Sequence, residues 1–290
     1  MIRYPIKVSE IRRLIRDTSG SWFRRANERT ETFRRAQEYH ESSNIWGEIK
    51  SVYMQIQHNK CAYCERQLED PKHGKIEHDI EHYRPKDSVD VWPSERIIDE
   101  RRLNYDFDTG DGWTEGYYLL AYNNLNYATA CKVCNSTLKS NYFPIEGNRG
   151  PQSDNPRELR SEKPYLIYPV SNIDTDPERL ITFEGIIAIP KGRSGHRFRR
   201  GRVTIDFFDL NGRGNIRKQR AAIIRTLSMA FQVLDSVALD QADKTIARET
   251  IKICTLSSSE HCNCARAYCK MHERNPEKAR AIAREALFVA

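Results

Sequence analysis

The sequence predicts an α+β protein, and three observations carry that expectation. Apolar residues recur at helical spacing at both ends of the chain. Short runs that alternate apolar and polar residues lie between those ends. Two C-x2-C pairs, Cys61/Cys64 and Cys131/Cys134, bracket the first such run. The pattern divides the chain into a helical N-terminal arm over 1–59, a cysteine-bracketed core over 60–146 with an insertion at 87–117, and a C-terminal region over 147–290 of short strands and helices that is the expected partner-docking part.

In the arm, "SEIRRLIRD" opens on Ser9 as an N-cap. "NIWGEIKSVYMQIQHN" sets Ile45, Trp46, Ile49, Val52, Tyr53 and Ile56 on one helical face, an aromatic stripe that reads as core. "KCAYCERQLED" reads as a knuckle, two cysteines on a tight turn. "KIEHDIEHYRPK" alternates like a strand and stops at Pro85. The polar, acidic insertion reads as a lid or surface excursion. Cys134 to Ser140 can start a helix, which Pro144 closes. Gly, Pro, Ser and Asn crowd 147–165, as in a linker or long loop. "KPYLIYPV", "LITFEGIIAIP" and "RVTIDFFDL" then read as short strands, and "RKQRAAIIRTLSMAFQVLDSVAL" as an amphipathic helix.

The chain has 290 residues, 39% hydrophobic and 30% charged, with a mean hydropathy of −0.73. No apolar run is long enough to cross a bilayer. The opening "MIRYPIKVSEIRRLIRD" lacks the apolar core and cleavage site of a secretory signal. A cytoplasmic protein with no membrane partner is the expectation. The formal net charge is +7, with arginine dense in "RSGHRFRRGR" and "NGRGNIRKQR". Polyanion binding and solvated loop and helix faces explain those runs equally well.

Eight cysteines in an unsecreted chain argue against a disulfide scaffold. Four thiolates in two knuckles suit one tetrahedral zinc, at about 2.3 Å per bond. Saturated by cysteine, that zinc would be structural. "SEHCNCARAYCKMH" holds His261, Cys262, Cys264, Cys269 and His272, either a second zinc site or buried thiols at a helix junction. The C-x-C start and the helical context favour thiols. Cys254 reads as core.

The doubled Glu-His of "IEHDIEHYRPK" also spells H-x-x-E-H from His78 to His82, as in a class of zinc peptidases. Peptidase chemistry needs both histidines on one helix face. Strand alternation and Pro85 oppose that, and the spelling leaves the cysteines unexplained.

Taken in order, C-x2-C at 61 and 64, Glu81-His82 with Pro85 three residues on, Asn126, and C-x2-C-N ending at Asn135 resemble the HNH endonuclease family in its four-cysteine zinc form. The resemblance implies a ββα-metal core with His82 as general base and Glu81 as ligand of a catalytic Mg²⁺ or Mn²⁺. It implies that Asn126, five residues before the third cysteine, fixes the hairpin loop and the histidine, with Asn124 as the other candidate. Asn135 would be a second metal ligand. Arg84, Lys86 and Lys139 would hold phosphate, or are solvated charges. His78 would pack or hydrogen-bond behind the base.

"CAYCE", "EHYRPK", "YYLLAY", "CKVCN" and "LIYPV…DPERLITF…TIDFFDLNGRGNIRKQR" are similar to the HNH proteins of Septu and retron-linked anti-phage systems, over roughly 50 to 220. That similarity implies a bacterial defence effector that cuts DNA, with RNA as a second candidate substrate. It implies an ABC-like ATPase partner and, in the retron-linked systems, a reverse transcriptase with its msDNA. The chain departs from the wider family in using Glu81 where most members have Asp. It also has Asn124-Leu125-Asn126-Tyr127 where relatives tend to show Trp-x-Asn-Leu. A zinc-braced nucleic-acid or protein adapter would share the cysteines and the basic excess, but would have no need of Glu81, His82 and Asn135 in register.

Overall fold

The structure, a computed structural model, describes residues 1–74 and 76–289. Strand β1 (His78–His82) pairs antiparallel with β2 (Tyr127–Cys131), with His78 opposite Cys131, Ile80 opposite Thr129 and His82 opposite Tyr127. Successive side chains of a strand point to opposite faces, so Asp79 and Glu81 share one face of this hairpin. His78, Ile80 and His82 share the other. A short helix, Val133–Lys139, leaves β2 directly and winds as a π-helix. It covers the Asp79/Glu81 face, where Asn135 Nδ2 donates to Asp79 Oδ2 over 3.1 Å.

The His82 face is covered by the N-terminal helices. These are α1 (Val8–Thr18), α2 (Trp22–Ala36), a 3-10 turn at Trp46–Ile49 and α3 (Lys50–Ile56). Ile49, Val52 and Tyr53 of the stripe are buried, and the Tyr53 ring stands edge-on to Tyr127 of β2 at 5.8 Å. Helix α1 starts one residue before Ser9, and no side chain caps it.

A second two-stranded sheet, β3 (Ile181–Glu184) with β4 (Ile187–Pro190), fulfils the "LITFEGIIAIP" expectation. Its turn needs glycine at 185. The residue sits at φ +59, and an added Cβ would come within 2.9 Å of Ile282 Cγ2. The other two strand expectations fail. Residues 165–170 of "KPYLIYPV" are buried, with single bridges at Pro164 and Val170 in place of a ladder. "RVTIDFFDL" lies largely in helix α5 (Gly195–Phe207). Its β-branched and aromatic residues favour strands in isolation. Here Val203, Thr204, Ile205 and Phe207 are all buried, which leaves Arg202 and Asp206, one turn apart and partly exposed, as the narrow polar edge of this stretch. Helices α6 (Gly214–Asp235), α7 (Gln241–Thr255), α8 (Cys262–Arg274) and α9 (Pro276–Glu285) complete the chain. No helix is long and apolar enough to cross a membrane among the described residues.

The insertion is not a free lid. Val89 and Trp113 exchange backbone hydrogen bonds of 2.7 Å across its base. Inside it, α4 (Glu95–Arg101) is capped by Ser94, Trp92 is buried, and Arg101 reaches the Asp206 carbonyl on α5 over 2.7 Å. Nor is 147–165 a linker. Glu162 is fully buried and accepts from Gly150 N–H and from the Tyr117 hydroxyl. One continuous apolar core joins Ile11 and Trp22 of the arm to Tyr63, Trp92, Phe208, Ile224 and Tyr268.

A candidate hydrolytic site beside a four-cysteine cluster

The first knuckle turns because Glu65 takes a left-handed conformation, φ +63, after Cys64. Its N–H returns to the Cys61 carbonyl over 3.1 Å. Ala62 N–H donates to the Thr129 carbonyl over 3.0 Å, which fastens the knuckle to β2. The second knuckle runs from the end of β2 into the π-helix. Together they bring Cys61, Cys64, Cys131 and Cys134 into one buried cluster, all Sγ atoms within 4.8 Å of one another and none in a disulfide. A tetrahedral zinc with bonds of about 2.3 Å sets its sulfurs about 3.8 Å apart. Cys64 and Cys131 already lie at 3.9 Å. The Arg213 guanidinium donates to Cys134 Sγ over 3.2 Å, a cation placed to offset the excess negative charge of four thiolates. The donor set, its spacing and its burial fit structural zinc.

Glu81 points into the space between hairpin and π-helix and is 3% exposed. The Lys139 ammonium, fully buried, stands 3.3 Å from Glu81 Oε1, yet that oxygen has no hydrogen-bond partner among the described residues. Burial pushes the Glu81 carboxyl up to about 7, against the pull of Lys139. Burial also lowers Lys139. An incompletely satisfied buried carboxylate is what a hard cation would satisfy. Asp79, two residues earlier on the same face, contacts Asn135 and the Lys132 ammonium, the latter at 2.6 Å. Asn135 therefore sits with Asp79 rather than Glu81. Asp79 was absent from the sequence candidates, although strand alternation places it beside Glu81. Two carboxylates and an amide thus line one face, a donor set suited to Mg²⁺ or Mn²⁺.

His82 lies on the opposite face of β1 from Glu81. Its half-buried ring is gripped edge-on by Trp46 at 4.8 Å and Tyr127 at 5.1 Å. His82 Nε2 is 3.1 Å from the Ala121 carbonyl. A carbonyl only accepts, so Nε2 carries the proton and Nδ1 keeps the lone pair. Burial, with Lys86 adding to it, pushes the imidazole down to about 3, so the ring is neutral at pH 7. Trp46, from the aromatic stripe read as core, borders the site instead. No local pattern could have shown that, because the contact spans 36 positions of sequence.

Asn126 is 1% exposed and clasps the chain just after His82. Its Oδ1 accepts from Arg84 N–H over 2.8 Å, and its Nδ2 donates to the Arg84 carbonyl over 3.0 Å and to the Leu120 carbonyl over 3.2 Å. Asn124 is also buried, and its Nδ2 has no partner among the described residues. Arg84 and Lys139 do not stand as phosphate contacts. The Arg84 guanidinium is buried on the Glu162 carboxylate at 3.0 and 3.1 Å, and lies over the Phe143 ring. Lys139 is turned inward onto Glu81 and toward the His82 carbonyl. Lys86 alone of the three keeps partial exposure, its ammonium 4.8 Å from the Tyr39 ring centroid and 5.6 Å from that of Trp46.

His78 is fully buried, with Nε2 3.0 Å from the Glu69 carbonyl. It ties the 69–77 loop to the start of β1, four residues from His82. Ile76, expected on the same strand face, is exposed and precedes the strand. His78→Ala should lower stability by about 2 kcal/mol through a lost hydrogen bond and a cavity. It should keep cleavage within about tenfold of wild type, below the general-base range. Parallel melting and cleavage assays check both, and a loss as deep as that of a His82 variant would move the base to His78.

The C-terminal cysteines form no metal group among the described residues. Cys262 Sγ donates to Glu65 Oε2 and Cys264 Sγ to the Gly185 carbonyl. His272 stacks on Phe231 at 3.8 Å. Cys254 is only partly buried.

No family model matches the chain. No solved structure matches it. Among curated proteins, the chain is 26% identical over 166 residues to Septu protein PtuA of Bacillus mycoides (strain KBAB4), which covers 57% of this chain and 19% of that protein. It is 28% identical over 193 residues to Septu protein PtuB of the same organism, covering 66% of this chain. The chain spans 56% of that relative's length. By sequence the chain is similar to Septu protein PtuB over 66% of its own length.

Proposed function

We propose that the protein is a metal-dependent HNH-type endonuclease of a Septu-like anti-phage defence system. The observation that carries this reading is the β1–β2 hairpin with its following helix. Over one face of it, Asp79, Glu81 and Asn135 form an oxygen-rich donor set. On the other, His82 is held as a neutral tautomer with Nδ1 free of the Ala121 contact. The four-cysteine cluster braces the point where β2 becomes the helix. Similarity to PtuB supports the defence assignment, and similarity to two Septu proteins supports a partner subunit of a Septu-like system, for which an ABC-like ATPase is the candidate that the sequence resemblance implies.

In this reading the His82 imidazole takes the proton from the attacking water at Nδ1, and the Ala121 carbonyl steadies the charge that forms on the ring. Glu81, Asp79 and Asn135 would hold the divalent cation. When bound, that cation supplies Lewis-acid stabilisation of the phosphorane and the leaving oxygen. Asn126 fixes the backbone that carries His82, and Lys86 reaches a substrate phosphate. The Glu81–Lys139 pair keeps the buried carboxylate from standing wholly uncompensated.

The test is to purify the chain alone and with its genomic neighbours, and to assay plasmid, phage DNA and total RNA. Cleavage is expected with Mg²⁺ or Mn²⁺ and none in their absence. Undiminished cleavage without either ion would refute the metal role. Absence of cleavage with every neighbour and substrate would favour the zinc-braced adapter.

A further inference from the structure

A cavity of about 580 Å³ opens beside the end of β1, on neither the cysteine cluster nor the Glu81 face. Seven of the seventeen residues around it are Lys or Arg and two are Asp. Three of those cations already have acidic partners: Arg84 with Glu162, Arg200 with Asp174, and Lys163 with Glu146. They therefore do not explain the excess. Arg157, Arg160 and Arg179 are exposed at the rim, and no side-chain hydrogen bond or ion pair ties them to any described residue. The cavity also carries apolar and aromatic walls, including Tyr83, Tyr168, Pro156 and Ile173. Arg200, 6% exposed, lines it with an Nε that has no hydrogen-bond partner among the described residues.

An apolar wall and an unpaired guanidinium rim are the two halves of nucleotide recognition. A base packs on apolar side chains, and arginine forks match phosphate oxygens. The volume falls within the usual range of small-ligand sites, about 300 to 1,000 Å³. We infer that this cavity is a nucleotide-binding site, with the base on the partly exposed apolar side chains of Leu125 and Ile173 and the phosphate on Arg157, Arg160 and Arg179. The nucleotide is either a free one or a residue of a single strand, and the chemistry recognised is the same. Tyr83 and Arg84 directly follow His82, and Leu125 precedes Asn126, so an occupant rests against the backbone that positions the candidate base. The site stands whether or not the hydrolase reading does, because binding is read without cleavage.

The experiment measures fluorescence anisotropy of the full chain without added Mg²⁺ or Mn²⁺. One arm uses fluorescently labelled ATP, and the other a fluorescein-labelled single-stranded oligodeoxynucleotide. The variants are Arg157→Ala with Arg160→Ala, Arg179→Ala, and Arg197→Ala as an exposed arginine of α5 outside the cavity. Zinc content and melting temperature confirm that each is folded. At least one probe should bind, the double variant should weaken it about tenfold or more, and Arg197→Ala should not. ATP binding lost in the double variant identifies a free-nucleotide site. Oligonucleotide binding alone, lost in the same way, identifies a strand-binding site. Failure of both probes to bind at millimolar concentration, or equal weakening by Arg197→Ala, overturns the inference.

Discussion

Replacing His82 with Gln should reduce phosphodiester cleavage by about 10²–10⁴-fold, the range that a positioned general base supplies. Gln keeps an N–H for the Ala121 carbonyl but offers no ring nitrogen to take a proton. His82→Ala removes the ring altogether and should be as inactive. The ring also packs on Trp46 and Tyr127, so the Ala variant will lose some stability as well. The pair of variants separates the two effects. Zinc content should stay at the wild-type value in both, because no cysteine ligand contacts His82 among the described residues. Melting should move less in the Gln variant than in the Ala variant. A well-folded His82→Gln protein that cleaves at the wild-type rate would end the assignment of the base.

The adjoining carboxylates answer a different question. If Glu81 and Asp79 hold the cation, their loss should raise the Mg²⁺ or Mn²⁺ concentration needed for cleavage. Loss of His82 should lower the rate at saturating metal. The two faces of β1 therefore separate by the metal dependence of the rate, even though the residues adjoin in sequence.

The cysteine spacing made the cluster legible because knuckle geometry is local: two residues between cysteines bring both thiols to one side of a turn. The strand at His78–His82 was legible for the same reason, since its period of two and its proline stop lie within one short run. The failures share a cause. Arg84 and Lys139 carry charge in a motif that suggests phosphate, but their fates were set by Glu162, 78 positions away from Arg84, and by Glu81 across the hairpin. "RVTIDFFDL" lies mostly in a helix that is buried over most of its circumference, and its polar edge, Arg202 with Asp206 one turn on, is too narrow to mark a helical period in sequence. The 87–117 insertion looked like a lid because it is acidic overall. Its apolar residues were the informative ones, and among them the buried Val89, Trp92 and Ile97 anchor it. Asp79 was within reach of the sequence. The alternation that placed Glu81 on one face placed Asp79 there too.

Cys131→Ser should abolish zinc binding and leave a chain that aggregates or melts far below wild type. Cys131 ends β2 and opens the second knuckle, so it joins the hairpin to the π-helix that carries Asn135 and Lys139. Its N–H also donates to Cys61 Sγ over 3.4 Å, and neighbouring thiols draw its own thiol well below the ordinary cysteine range. A serine hydroxyl keeps the size but supplies no thiolate. Structural zinc contributes about 10–16 kcal/mol of binding free energy in small zinc-folded peptides, as large as the whole stability of a typical domain at about 5–15 kcal/mol. The effect therefore should not be confined to the knuckles. Elemental analysis should give one zinc per chain for wild type and none for the variant. Cys262→Ser should retain wild-type zinc, because Cys262 lies with Glu65 and Lys60 rather than in the cluster. Full zinc in the Cys131 variant would mean the four sulfurs are not one site, and the bracing of the hairpin would need another cause.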